Sequence, residues 1–553
     1  MAAESRTALV AGDTSRTDAV AGLAVGIAAV VFATAAAAMF GVVSLTDTVL
    51  GIDVLVVLGG LLVALGVAVI AFGVGSRLGY VETQPRPSAG LVAGIAFTVI
   101  WFVTGGLVAS QTLGLGTVGW LLVAVGVGAV AFAVTTLTRE DIGSTLPAGA
   151  ITLLAGVVFL LGVIDASWAW NLQWEQKASF TAAVVIPGLT LFCALVSGWA
   201  SAKAYGGFGA RGRHAGAYLL IYLNALAIIA VLFGLVAFTA FKGFPGLARG
   251  FEVGLGVGPT TTIAFFLHLP FVDVAPGFSF SFDWPFYLPF AMNGVGLLND
   301  FNGVLPAIVG TVWLVVGASL FAIPLGVGAA VFLTEYAERG RFTQVVEIAT
   351  NGLWSTPSIV FGLFGFAFLV PRFGGNKSLL AGMLTLGFML LPLVLITSRE
   401  AMLAVPDEYR DASAALGVSQ WQTIKSVVIP ASIPGIVTGV ILGVGRIAGE
   451  TAPLLLTMAG GTFVPGGQTV DVIGGFAFQA TPPFVTNPEL LQATSALPYQ
   501  LWALIAAGVG VSSNVGDGEA FKWATALILL VVVLGFYAIG IAMRQYFRRK
   551  INA

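Results

Sequence analysis

Residues 399–435 read REAMLAVPDEYRDASAALGVSQWQTIKSVVIPASIPG. Apolar runs of membrane-spanning length flank this stretch, from about 378 to 398 before it and from about 431 to 457 after it. Between them the chain leaves the bilayer, makes two short helical patterns and returns at Pro430. Pro406 suits a first helical turn, the acids Asp407 and Glu408 favour a helix N-terminus, and Gly417 supplies the stop. Small Ala412, Ser413 and Ala414 permit close helix contact. The segment is predicted to be a compact knob between two spans.

The rest of the chain supports a membrane setting. Of 553 residues, 58% are hydrophobic and 9% charged, against roughly 25% charged in an average soluble domain. The 72 glycines suit packed membrane helices, whose backbones approach closely over small residues. A net charge of −2 and the absence of basic runs, apart from Arg544, Arg548, Arg549 and Lys550, exclude nucleic acid as an expected partner. Cys193 is the single cysteine, so no internal disulfide can form. The segment Met1 to Thr17 is polar, and the apolar run after it exceeds a signal-peptide core, so it is expected to stay as a membrane helix.

Twelve segments reach spanning length. Six lie at about 18–43, 54–75, 89–110, 116–136, 146–164 and 179–200. The other six lie at about 216–240, 303–333, 345–370, 378–398, 431–457 and 521–543. With a cytoplasmic N-terminus, Lys177, Lys242, Arg249, Arg372, Lys377 and Lys522 fall outside, while most other basic residues fall inside. Basic loops stay on the cytoplasmic side, so a multi-pass plasma-membrane protein with both termini cytoplasmic is expected.

The polar, Gly-rich connection SAKAYGGFGARGRH, 201–214, separates two sets of six helices. The domains are therefore placed at 1–205, an extension of unknown role, and 206–553. Two outer connections, about 241–302 and 458–520, are rich in Gly, Pro and aromatics. Within them Thr260 to Phe271 and Tyr499 to Val511 are apolar but short, and suit interfacial or re-entrant segments.

The knob closely resembles the coupling loop of binding-protein-dependent ABC importer permeases, whose pattern is Glu-Ala-Ala, three residues, Gly, nine residues, then Ile-x-Leu-Pro. Asp411, Ala412 and Ser413 stand at its first three positions, Gly417 at the glycine, and Val427, Ile429 and Pro430 at its end. Asp for Glu, Ser for Ala, Val for Ile and Ile for Leu depart mildly in size and chemistry. The resemblance implies that Glu408, Asp411, Ala412, Ser413, Gly417, Ile429 and Pro430 contact a separate ATPase subunit and transmit its closure. The bland alternative is an amphipathic loop on the membrane surface.

Just beyond the knob, GRIAGETAPLLL at 445–456 puts Arg446 and Glu450 four residues apart, expected on one helix face somewhat past the midplane. Ionisable residues inside a span face a bundle interior or a water-filled path. This run, EYAERG at 335–340 and STPSIVFGLFGF at 355–366 resemble the permeases of the phosphate-specific ABC transporter, and among them the PstA family, over about 216–550. The resemblance implies an all-α integral membrane protein whose last six helices form a type I, MetI-like permease core. It implies as partners an ATPase pair (PstB-like), a second permease (PstC-like) and an external phosphate-binding protein (PstS-like), in a lipid bilayer. It further implies a substrate pathway through Arg446, Glu450 and Thr451. An Arg guanidinium keeps its charge and offers paired donors to an oxyanion. A structural ion pair that only locks helix packing is the competing reading of Arg446 and Glu450.

No Gly-x4-Gly-Lys-Ser/Thr phosphate loop occurs, so ATP and Mg are expected on the partner and no cofactor on this chain. His214 and His268 are too isolated to suggest a metal site. Glu335, Glu338, Arg339 and Arg341 read as a solvated loop, with a second ATPase contact as the alternative. Pro324, Pro357, Pro392 and Pro453 are expected to bend their spans. The first half has few charges deep in its spans, which suits a scaffold or subunit-contact role. The nearest alternative function is an importer for another oxyanion, sulfate, molybdate or tungstate. A membrane enzyme or signalling protein would need a catalytic constellation or a cytoplasmic domain that the sequence does not display.

Overall fold

The computed structural model describes residues 16–171, 179–266, 277–294, 303–338, 340–459, 469–478, 482, 484–506 and 518–552. Lys177, His268 and Arg339 lie outside the described residues, as do 1–15 and the ends of the two short apolar stretches, 267–271 and 507–511. The chain divides into two units, Met1–Leu235 and Val236–Ala553.

The first unit holds α1 (Arg16–Met39), α2 (Val54–Leu78), α3 (Leu91–Leu107), α4 (Thr117–Leu137), α5 (Glu140–Leu160), α6 (Ala182–Tyr205) and the first part of α7 (Gly209–Leu247). Small residues decide how its helices pair. Gly59, Gly66 and Gly73 recur at heptad spacing on α2, as Gly149 and Gly156 do on α5. A Cβ on Gly66 would stand 2.7 Å from the Gly149 carbonyl oxygen, and one on Gly156 2.7 Å from that of Gly59. The two backbones thus approach closely at these glycines, the packing that lipid-embedded helices favour.

The sequence placed the domain boundary in 201–214, yet the observed division falls inside α7. The turn between α6 and α7 is only Gly206–Phe208, with Gly207 at φ +70° and Phe208 at φ +60°. Leu219 and Leu223 of α7 then pack with Val31, Leu55, Leu58 and Cys193 of the first unit. The polar turn ends a helix there without ending the core.

The second unit is built on α8 (Leu305–Val331), α9 (Arg341–Ser355), α10 (Ser358–Phe364), α11 (Leu379–Leu403), α12 (Asp407–Ala415), α13 (Gln420–Thr423), α14 (Ile429–Ala448), α15 (Ala452–Thr457), α16 (Leu497–Ala506) and α17 (Gly518–Asn552). Leu314, Ala318, Leu386, Leu390, Val394 and Ile447 form the shared core of α8, α11 and α14. Gly326, Gly439 and Gly443 again admit close approach. A Cβ on Gly439 would stand 2.0 Å from Thr397 Oγ1, and one on Gly443 2.2 Å from Leu390 Cδ1.

Among the described residues eleven helices are long and apolar enough to cross a membrane, or twelve if one bent pair counts as a span. That pair corrects the expected ninth span: Arg341–Ser355 and Ser358–Arg372 meet at 102°. Pro357 explains the break, because the residue before a proline is pushed out of the helical region, and Thr356 is extended at φ −67°, ψ 133°. Pro453 interrupts the expected eleventh span by its missing N–H rather than by displacing the residue before it, and the helix stops at Ala448 and resumes at Ala452. Pro324 and Pro392 lie inside uninterrupted α8 and α11.

The outer connection before α8 holds a second correction. Thr260–Phe266, within the stretch expected to lie flat or re-enter, instead form strand β1, paired antiparallel with β2 (Gly277–Asp283). The alternation Phe278, Phe280, Phe282 against Ser279, Ser281, Asp283 is a period of two, which a helix cannot use.

Candidate functional site

The knob begins where α11 ends. Pro406 is extended at φ −58°, ψ 140°, and the acids Asp407 and Glu408 open α12. Gly417, at φ +71°, takes the left-handed conformation that other residues avoid. Its turn is closed by the Val418 N–H donating to the Ser413 carbonyl at 3.2 Å. Ser419 and Gln422 then cap α13, with the Ser419 N–H 3.2 Å from Gln422 Oε1. A π-turn, Ile424–Val428, leads into α14.

Glu408, Asp411, Ala412 and Gly417 are exposed on the knob, Ser413 is buried beneath them, and Ile429 and Pro430 are half-buried at the foot of α14. The Ser413 hydroxyl donates to the Tyr409 carbonyl at 2.9 Å. Large apolar side chains are exposed among these polar ones. Leu416 is 82% and Trp421 56% exposed, beside exposed Tyr409 and Val418.

One residue that sequence reasoning did not single out organises this loop. Arg410 Nη2 donates to Glu335 Oε1 at 2.9 Å and to the Met402 carbonyl at 3.1 Å. Its Nη1 donates to the Val405 carbonyl at 2.8 Å and to Asp407 Oδ1 at 3.2 Å. The hydrogen-bonded Glu335 carboxylate raises the Arg410 guanidinium above its ordinary pKa. Glu335, in the π-turn Phe332–Tyr336 that ends α8, was expected in a solvated loop, but its side chain is only 8% exposed. From the other side of the Gly417 turn, Gln420 Nε2 donates to the Glu335 carbonyl at 2.6 Å. A second pair, Arg399 Nη2 to Glu347 Oε1 at 2.6 Å, ties α11 to α9.

Arg446 and Glu450 come together, but not on one helix face as expected. Pro453 has no N–H for the Gly449 carbonyl and its ring crowds that position, so Glu450 lies in the gap between α14 and α15. Arg446 occupies the last turn of α14, about 26 Å along it at 1.5 Å per residue, nearer the helix's far end than its middle. Its side chain is 39% exposed, and Nε stands 3.8 Å from Glu450 Oε1. That is an ion contact longer than a hydrogen bond. Thr451, half-buried, precedes α15, and its carbonyl accepts the Leu454 N–H at 3.1 Å. The far end of α15 is capped by Lys377, whose Nζ donates to the Leu455 carbonyl at 2.6 Å, and by the Ser378 N–H, 3.0 Å from the Thr457 carbonyl.

Residues 322–552, which contain both the knob and the α14/α15 break, match the family described as binding-protein-dependent transport system inner membrane component. The phosphate transport system permease protein PstA of Haemophilus influenzae is 32% identical over 252 residues, covering 46% of this chain and 78% of the relative. The chain belongs to the PstA family of phosphate transport system permeases. PstA of Mycobacterium leprae is likewise 32% identical over 269 residues, covering 49% of this chain and 78% of that protein. PstA 1 of Mycobacterium tuberculosis (strain H37Rv) is 42% identical over 155 residues, 28% of this chain and 50% of that protein. The chain is thus a multi-pass membrane permease of the PstA family, and its first unit, Met1–Leu235, lies outside the span matched by the family model.

Proposed function

We propose that the chain carries inorganic phosphate into the cell as one permease of an importer powered by ATP hydrolysis on a separate subunit. The observation that carries this reading is the knob: an exposed apolar cap on a hydrogen-bonded base, set between two spanning helices. Exposed Leu416 and Trp421 have the chemistry of an interface core, and a bilayer crossing on each side gives a docked partner mechanical access to the membrane. The ATPase closes on the knob, the displacement reaches α11 and α14, and access alternates between the two sides. A second permease and an external phosphate-binding protein complete the assembly, and the knob faces the cytoplasm. The chain crosses twice after the knob, through α14 and α17, so its basic C-terminal end lies on the same side. Arg446, Glu450 and Thr451 line the substrate route near the outer end of α14, where an acid beside the guanidinium keeps it from holding the anion too tightly.

Reconstitution with an ATPase subunit, a second permease and a phosphate-binding protein tests this reading. ATP-dependent uptake of labelled phosphate is expected, undiminished by excess sulfate or molybdate. Equal competition by those anions would assign the machine to oxyanions in general, and no uptake of any of them would contradict transport.

Gly417 supplies a separate check on docking. Gly417→Val forces a β-branched residue to φ +71°, at a cost of about 1–2 kcal/mol. Co-purification of the ATPase subunit is expected to fall, while Gly417→Asn, which tolerates this conformation, keeps most of it. Equal recovery with Gly417→Val and the unaltered chain would show that the turn does not shape the docking surface.

A further inference from the structure

We infer that Glu335, Arg410 and Gln420 form a positioning latch that fixes the knob to the end of α8, making α8 the first membrane helix to receive the stroke. The inference deepens the transport reading and rests on it for the direction in which force flows. The latch itself stands on geometry alone.

Glu335 is held twice, once by each helix of the knob. From α12, Arg410 approaches both carboxylate oxygens, Nη2 at 2.9 Å from Oε1 and Nε at 3.4 Å from Oε2. From α13, Gln420 reaches the backbone carbonyl of the same residue at 2.6 Å. The two grips come from opposite sides of the Gly417 turn, so the turn cannot rock against α8 without breaking one of them. Arg410 also ties the Met402 carbonyl, in the last turn of α11, and the Val405 carbonyl, just beyond it, to the first turn of α12. One guanidinium therefore joins the end of α8, the end of α11 and the knob. Only the planar fork of Arg meets that many acceptors at once, and a Lys ammonium could not.

Ordinary surface ion pairs contribute little because water screens them and both side chains lose freedom. This one differs, with Glu335 8% and Arg410 22% exposed and most of their partners fixed backbone atoms or each other. The setting is also unusual. Glu335 lies in the π-turn 332–336, and the knob rejoins the membrane through the π-turn 424–428. A π-turn places an extra residue in the helix and re-aims the chain beyond it, and such turns gather at functional positions. Here one ends α8 and supplies the latch, and the other forms the foot of α14.

The test uses the full chain and two readouts. In the purified chain without partners, Glu335→Gln and Arg410→Gln are expected to speed amide hydrogen exchange across 404–420 by about tenfold, with the middle of α11 unchanged. The double variant should be no faster than the faster single one, because each side chain acts through the other. In vesicles carrying the whole assembly, either variant should lower phosphate moved per ATP hydrolysed by about fivefold while the ATPase still co-purifies. Arg410→Lys and Gln420→Ala, which each keep part of the latch, should fall between. Unchanged exchange in both single variants would overturn the latch, as would faster exchange throughout α11, which marks general loosening. An unchanged transport ratio with a loosened knob would overturn its role in coupling. If the unaltered assembly moves no phosphate, the transport reading fails and the exchange measurement alone decides whether the latch exists.

Discussion

Arg446→Ala is expected to abolish ATP-driven phosphate uptake in reconstituted vesicles, and Arg446→Lys to reduce it by about tenfold, with both variants still assembling. The geometry favours a working guanidinium over a structural lock. A lock would hold its acid at hydrogen-bond distance in a buried site, whereas Arg446 stands 3.8 Å from Glu450 and is 39% exposed. On the proposed route its donors would meet an oxyanion at the gap between α14 and α15. The carbonyl end of α14 also complements the cation there. Lys keeps the charge but loses the paired donors, which is why a partial loss is expected. Uptake assayed beside ATPase activity and subunit recovery gives the answer. Normal uptake by Arg446→Ala would remove this residue from the substrate route.

The second large effect lies in the first unit. Lys203→Met is expected to lower its stability by about 3–5 kcal/mol, because it leaves a buried carboxylate uncompensated. Lys203 and Glu140 are 1% and 0% exposed, with Nζ 2.8 Å from Oε1. Lys203 also donates to Ser144 Oγ at 2.8 Å, and Glu140 Oε2 accepts the backbone N–H groups of Arg86 and Gly209 at 3.0 Å each. Lys203 is in the last turn of α6 and Glu140 in the first turn of α5, so each charge also complements the dipole of its own helix. Adding Glu140→Gln to Lys203→Met should recover part of the loss, since the amide oxygen still accepts from Arg86 and Gly209. Equilibrium unfolding in detergent checks both. Stability unaltered by Lys203→Met would show that the pair contributes nothing net.

That cluster marks where sequence reasoning stops. Glu140 and Lys203 lie at helix ends and read as loop charges, and nothing in the intervening 62 residues announces that they meet. The same holds for Glu335 and Arg410, 75 residues apart. Apolar runs are visible one residue at a time, so most helices were legible. The knob was legible because its signals, Pro406, Asp407, Glu408 and Gly417, are local. The interruptions at Pro357 and Pro453 were partly legible. All four span prolines raise the same expectation, but only the packing around each one settles whether the helix breaks or, as at Pro324 and Pro392, continues. The hairpin β1–β2 carries a clear alternation in its second strand, which the apolar run Thr260 to Phe271 masked when taken alone.

The most direct test of the transport mechanism places a photo-crosslinking residue at Leu416, the most exposed apolar position of the knob. Irradiation of intact membranes is expected to join this position to the ATPase subunit, and membrane-impermeant reagents added outside the cell should not reach it. Labelling of residue 416 from the exterior, or an intact assembly in which it meets no ATPase, would contradict the mechanism.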